Sequence, residues 1–159
     1  MPREKRSSRR RAAKASRTAT GPEVCVTNAQ RRDEVSVAWL ARVARCAVAR
    51  LSVRGAGTLT IVFIDGHAMR RLNRQFAGHI GLTDVLTFRY PGELVIGEIV
   101  ISPEFAKTYS IQHRVPYRQE LARYVIHGIL HWTGLEDRTP WEQYWMRERE
   151  NRLLAQCVR

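Results

Sequence analysis

The sequence predicts an α+β fold: a mixed sheet of about four strands, helices packed over it, and a metal-binding helix at the centre. Three observations carry this. Short β-branched runs alternate with stretches of helical periodicity in the order β-α-β-α-β-β-α-α-α. Two of those runs, Thr83–Phe88 and Leu94–Ile101, are joined by a turn at Pro91-Gly92 and read as adjacent antiparallel strands. The stretch around His127 and His131 is apolar on nearly every side, through Tyr124, Val125, Ile126, Ile129, Leu130 and Trp132, as in a buried helix.

Residues 1–20 hold eight basic residues against one acidic one and contain no Leu, Ile, Val or aromatic residue. Such a stretch cannot bury enough surface to fold, so it reads as a disordered basic arm, either a solvated tail or a phosphate-binding arm. It has no apolar region for a secretory signal. Residues 21–159, in a chain that is 44% hydrophobic, are expected to form a single domain with its own core.

Val24–Thr27 suggests a first strand. Asp33 is suited to cap a first helix reaching about Leu51, with Val35, Val37, Trp39, Leu40, Val43 and Ala47 at helical spacing. Gly55 and Gly57 punctuate before the strand Thr58–Ile64. Asp65 can cap a second helix carrying Met69, Leu72 and Phe76, with Arg70, Arg71 and Arg74 on its other faces, until Gly78 and Gly81 break it. After the strand pair, Ser102-Pro103 opens a third helix ending near His113, and Pro116 opens the long one, Tyr117 to Trp132. Thr139-Pro140 starts a last amphipathic helix with Trp141, Tyr144, Trp145, Leu153 and Leu154.

The net charge of +12 favours a polyanionic partner. Cys25, Cys46 and Cys157, odd in number and scattered, read as reduced thiols of a cytoplasmic protein. No run approaches the length of a membrane span.

The chemistry concentrates in His127-Gly-Ile-Leu-His131-Trp-Thr-Gly134-Leu-Glu-Asp137. Histidines four apart on a helix share a face, one turn from each other, and both rings can reach one ion. Gly134 can end the helix in the left-handed conformation and return the chain, so that Asp137 becomes the third ligand. Two nitrogens and a carboxylate oxygen leave a fourth tetrahedral position for water, the pattern of a catalytic zinc. Metzincin proteases share this spacing, with histidine in place of Asp137, but they need a glutamate beside the first histidine as general base. Gly128 stands there, and the protease reading loses its base.

These residues resemble the YbeY family of bacterial rRNA-maturation factors, whose motif reads His-Gly-x-Leu-His-Leu-x-Gly-Tyr-Asp-His. Leu72-Asn-Arg-Gln-Phe76 with Thr83-Asp-Val-Leu-Thr-Phe88, and Gly97-Glu-Ile-Val-Ile-Ser102, are similar to two further family motifs in the same order. The resemblance implies a metal-dependent, single-strand endoribonuclease acting in rRNA maturation and ribosome quality control. It implies ribosomal RNA or the small subunit as partner, one zinc or another divalent ion, no small-molecule cofactor, and a cytoplasmic location. It also implies Asp84 near the metal, although a strand-start capping role fits that residue as well. Arg70, Arg71 and Arg74 can hold phosphates or simply form a solvated helix face. The chain departs from the family where Asp137 replaces the third histidine, with Glu136 as an alternative oxygen donor, and where Ala77 replaces an arginine of the RNA groove. Arg74 or His79 can take over from that arginine, and the general base stays unassigned. The reading from another class is a ribosome-associated RNA-binding factor whose metal is structural.

Overall fold

Alternate residues of β2 (Thr58–Phe63) are buried: Leu59, Ile61 and Phe63 turn inward, while Thr58, Thr60 and Val62 are only partly covered. This is the period of a strand with one face on the core. The computed structural model describes residues 21–77 and 84–159. It places β2 inside a four-stranded sheet of order β1-β2-β4-β3, with β1 (Glu23–Asn28), β3 (Val85–Arg89) and β4 (Val95–Ile101). β1 and β4 run parallel to β2, and β3 is antiparallel to β4, pairing Val85 with Ile101 and Arg89 with Gly97. The basic arm, the helix-breaking Gly78 and Gly81, and His79 lie outside the described residues.

Among the described residues, five α-helices complete the order expected from the sequence: α1 (Val37–Arg50), α2 (Gly66–Leu72), α3 (Pro103–His113), α4 (Tyr117–Trp132) and α5 (Pro140–Cys157). A π-helical turn, Asn73–Ala77, extends α2. α4 is central, touching α1, α3, α5, β3 and β4, and its Val125, Ile126, Ile129 and Leu130 are fully enclosed. Two glycines let it lie close on the sheet. A Cβ at Gly128 would press into Ile99 and sit 3.1 Å from Val85 Cγ1. One at Gly97 would come within 2.6 Å of Trp132 Cδ1.

Four local expectations need correction. Helix α1 begins at Val37 behind Ser36, so Asp33 does not cap it; the Asp33 carboxylate instead meets Lys107 Nζ at 2.9 Å. Ser102 does precede α3, but its hydroxyl is buried and makes no capping bond. Cys46 and Cys157 are not reduced thiols but a disulfide joining α1 to the end of α5, with Cα atoms 5.6 Å apart; a separation of 111 residues hides that proximity from the sequence. Finally, the buried stripe of α5 is Met146, Glu150, Leu153 and Leu154, not its aromatic residues, because Trp141, Tyr144 and Trp145 fall on another face of the helix.

Candidate metal centre

The end of α4 builds the site. Gly134 takes φ +106°, Gly134 N–H donates to the His131 carbonyl, and Leu135 N–H donates to the Leu130 carbonyl. These are the two bonds of a Schellman stop, which glycine permits without a Cβ penalty. The reversal brings the Leu135 carbonyl to 2.8 Å from His131 Nδ1. It also returns the chain so that Asp137 Oδ2 lies 3.5 Å from His131 Nε2 and 3.7 Å from His127 Nε2. On the other side, α5 delivers Glu150, whose Oε1 is 2.7 Å from His127 Nδ1. A capping box starts α5 as its sequence suggests: Glu142 N–H donates to Thr139 Oγ1 at 3.2 Å, and Thr139 N–H donates to Glu142 Oε2 at 2.9 Å.

Each Nδ1 thus faces an acceptor and carries its ring's proton, which leaves each Nε2 with a lone pair. The two Nε2 atoms are 2.9 Å apart. Two lone pairs that close repel unless a proton or a cation lies between them. Donors of a tetrahedral site with metal–nitrogen bonds of about 2.0–2.1 Å are spaced by about 3.3 Å. The triangle of two nitrogens and the Asp137 oxygen matches that spacing to within a few tenths of an ångström, and His127, His131 and Asp137 form a group able to hold a metal ion. The donor set therefore fits one divalent ion. Of the two carboxylates left open by the sequence, Asp137 joins the histidines; Glu136 turns outward to Arg138, 3.3 Å away.

A cavity of about 330 Å³ opens beside the pair, lined by Asp84, Glu120, Arg123, Asp137, Arg147 and Glu150 among others. Its carboxylates outnumber its arginines, as suits a cation site. Burial opposes charge on the His127 imidazole, but its bond to Glu150 outweighs this and holds its pKa above the ordinary histidine value. Burial likewise pushes Glu150 up, and His127 and Arg123 together hold it below the usual carboxylate range. Glu120 shows the opposite balance: burial raises it against the pull of Arg123.

Asp84 lines the same cavity as His127 and Asp137, with its carbonyl accepting from Ser102 N–H at 3.2 Å. Arg70, Arg71 and Arg74 are exposed on α2 and its π-helical extension and do not line this cavity. The residue that sequence reasoning missed is Glu150. A signal existed, since it falls on the stripe of Met146, Leu153 and Leu154, and an acid there requires a partner. Carboxylates bonded to ligating histidines tune metal affinity about 10–100-fold. Glu150→Gln is accordingly expected to weaken zinc binding by about that factor, measured by competition with a chromogenic chelator.

A mixed sheet under a central helix with two histidines and a returning carboxylate defines an α+β protein with a donor group able to hold a metal ion. The comparisons narrow this. The family described as Endoribonuclease YbeY matches residues 25–158. Endoribonuclease YbeY of Bacteroides fragilis is 39% identical over 110 residues, covering 69% of this chain and 79% of the relative. The protein of the same name from Phocaeicola vulgatus is 35% identical over 118 residues, covering 74% and 82%. The solution structure of TM1509 from Thermotoga maritima superposes with a TM-score of 0.60 at 22% identity, covering 84% of this chain and 88% of that one, which shows a shared fold. The chain belongs to the endoribonuclease YbeY family, whose named members are hydrolases acting on RNA.

Proposed function

We propose that this protein cleaves single-stranded RNA with one zinc ion held by His127, His131 and Asp137, in the maturation of ribosomal RNA in the cytoplasm. The observation that carries the reading is the convergence of the two Nε2 atoms and the Asp137 oxygen, with each Nδ1 tied behind them. A divalent ion bound there supplies Lewis acidity, lowering the pKa of its water and polarising a phosphoryl oxygen.

The chain's own residues do the rest. Glu150 keeps the proton on His127 Nδ1 and fixes the ring, and the Leu135 carbonyl does the same for His131. Asp84, on the cavity wall, stands as the proton acceptor. Arg123 is committed to Glu120, Glu150 and Asn151; Arg147 also pairs with Glu150, at 3.5 Å, but its half-exposed side chain at the cavity can turn to a phosphate. Arg70, Arg71 and Arg74, exposed on α2 and its π-helical extension, serve as contacts for the flanking strand. No helix among the described residues is long and apolar enough to cross a membrane.

Metal removal tests the reading. Dialysis against a chelator is expected to abolish cleavage of a single-stranded RNA, and one equivalent of zinc is expected to restore it. Cleavage indifferent to the chelator would overturn the proposal. RNA binding without cleavage by the zinc-loaded protein would instead favour a ribosomal RNA-binding factor.

A further inference from the structure

α5 has two faces with different work. Gln143, Met146, Arg147 and Glu150 line the metal cavity. Trp141, Tyr144 and Trp145 face outward, 68%, 53% and 44% exposed. The three rings pack on one another: Tyr144 and Trp145 edge to face with centroids 5.3 Å apart, Trp141 and Trp145 likewise at 5.5 Å, and Trp141 nearly parallel to Tyr144 at 6.1 Å. Three contiguous rings at the surface are the kind of exposure that marks interaction sites, whereas singly scattered apolar residues are ordinary.

Resting on the nuclease reading above, we infer that Trp141, Tyr144 and Trp145 form a base-stacking platform that receives single-stranded RNA on its way to or from the metal centre. The patch meets the site at one edge, where Tyr144 adjoins the cavity-lining Arg147. Tyr144 precedes Arg147 by three residues, which makes the two neighbours on the helix surface. Measured along the axis, Tyr144 and Trp141 stand about 4.5 Å and about 9 Å from Arg147. A strand with a phosphate at Arg147 therefore has its adjoining bases over the rings. Charge agrees: Arg138 and Arg147 flank the patch, 81% and 51% exposed at their side chains. Of the nearby acids, Glu142 is held in the capping box, Glu136 pairs with Arg138 at 3.3 Å, and Glu150 is held by His127, Arg123 and Arg147, while Glu148 stands exposed four residues beyond Tyr144. Aromatic faces accept every base, and rings already locked against each other lose little freedom on binding.

The test uses the zinc-loaded full chain and a labelled single-stranded RNA with methylated 2′-hydroxyls, verified intact after titration. Trp141→Ala and Trp145→Ala are each expected to weaken binding about tenfold, with Trp141→Phe restoring most of it. The same oligonucleotide with abasic sites is expected to bind parent and variants alike. Equal affinity of parent and alanine variants for the intact strand overturns the platform, as does an equal loss on the abasic one. A change confined to self-association, read by sedimentation, also overturns it and makes the patch a contact between copies. Cleavage with zinc removed and restored is assayed separately on the parent, so failure of the platform and failure of the nuclease reading are distinguishable.

Discussion

Replacing His131 with alanine is expected to eliminate RNA cleavage while leaving the fold in place. On the proposed reading the variant removes one of the two Nε2 donors and would leave a bound ion with His127 and Asp137 alone. Activity should fall at least about 10³-fold, some 4 kcal/mol of lost transition-state stabilisation. Unfolding is not the cause, on three grounds. The imidazole is partly exposed rather than enclosed. Alanine is the strongest helix former. The Schellman bonds at Gly134 and Leu135 use backbone atoms that the substitution does not remove. The measurement is cleavage and metal content of parent and variant prepared identically, with far-ultraviolet circular dichroism as the control for folding. Equal cleavage in both preparations would identify a contaminating nuclease and sink the assignment.

The ease of reading this chain varied with the range of the interactions. Hydrophobic period and turn residues are local, so the order of strands and helices, the antiparallel pair around Pro91-Gly92 and the helical stop at Gly134 were legible. The histidine pair and Asp137 were legible for the same reason, since a single helix and its reversal hold all three. What remained hidden was long-range. Glu150 reaches His127 across 23 residues, and Cys46 finds Cys157 across 111. Aromatic residues on α5 misled, because size and hydrophobicity argue for the core, and only the phase of Met146, Leu153 and Leu154 turns those rings outward. Asp33 misled differently: its carboxylate is suited to a cap, but Lys107 from α3 claims it.

Gly128 is the second position where a large effect is expected, and it bears on chemistry as well as stability. From the sequence, its importance is that it cannot act as a base. In the fold, the position faces the sheet, where an added Cβ meets Ile99 and Val85. Ile99 is fully buried in β4, paired to β2 on one side and β3 on the other, and cannot retreat. Gly128→Ala gains about 1 kcal/mol of helix propensity. Overpacking opposes it by about 1–3 kcal/mol, and with such rigid neighbours the cost lies at the upper end. A net loss of about 2 kcal/mol should lower the melting temperature by about 4–8 °C for a chain of this size. Because α4 must lift from the sheet, His127 and His131 move with it, and zinc affinity is expected to fall too. Combining Gly128→Ala with Ile99→Ala should cost less than the sum of the single changes, since the second removes the atoms that the first strikes. Gly128→Glu goes further: it would drive a carboxylate against Ile99 and Val85 with no partner there, at several kcal/mol, and the protein is expected not to fold. The same geometry bears on the protease reading, because a glutamate at 128 would point into the core and not at His127 and His131. An unchanged melting temperature for Gly128→Ala, or strict additivity with Ile99→Ala, would show that α4 does not rest on the sheet at this glycine.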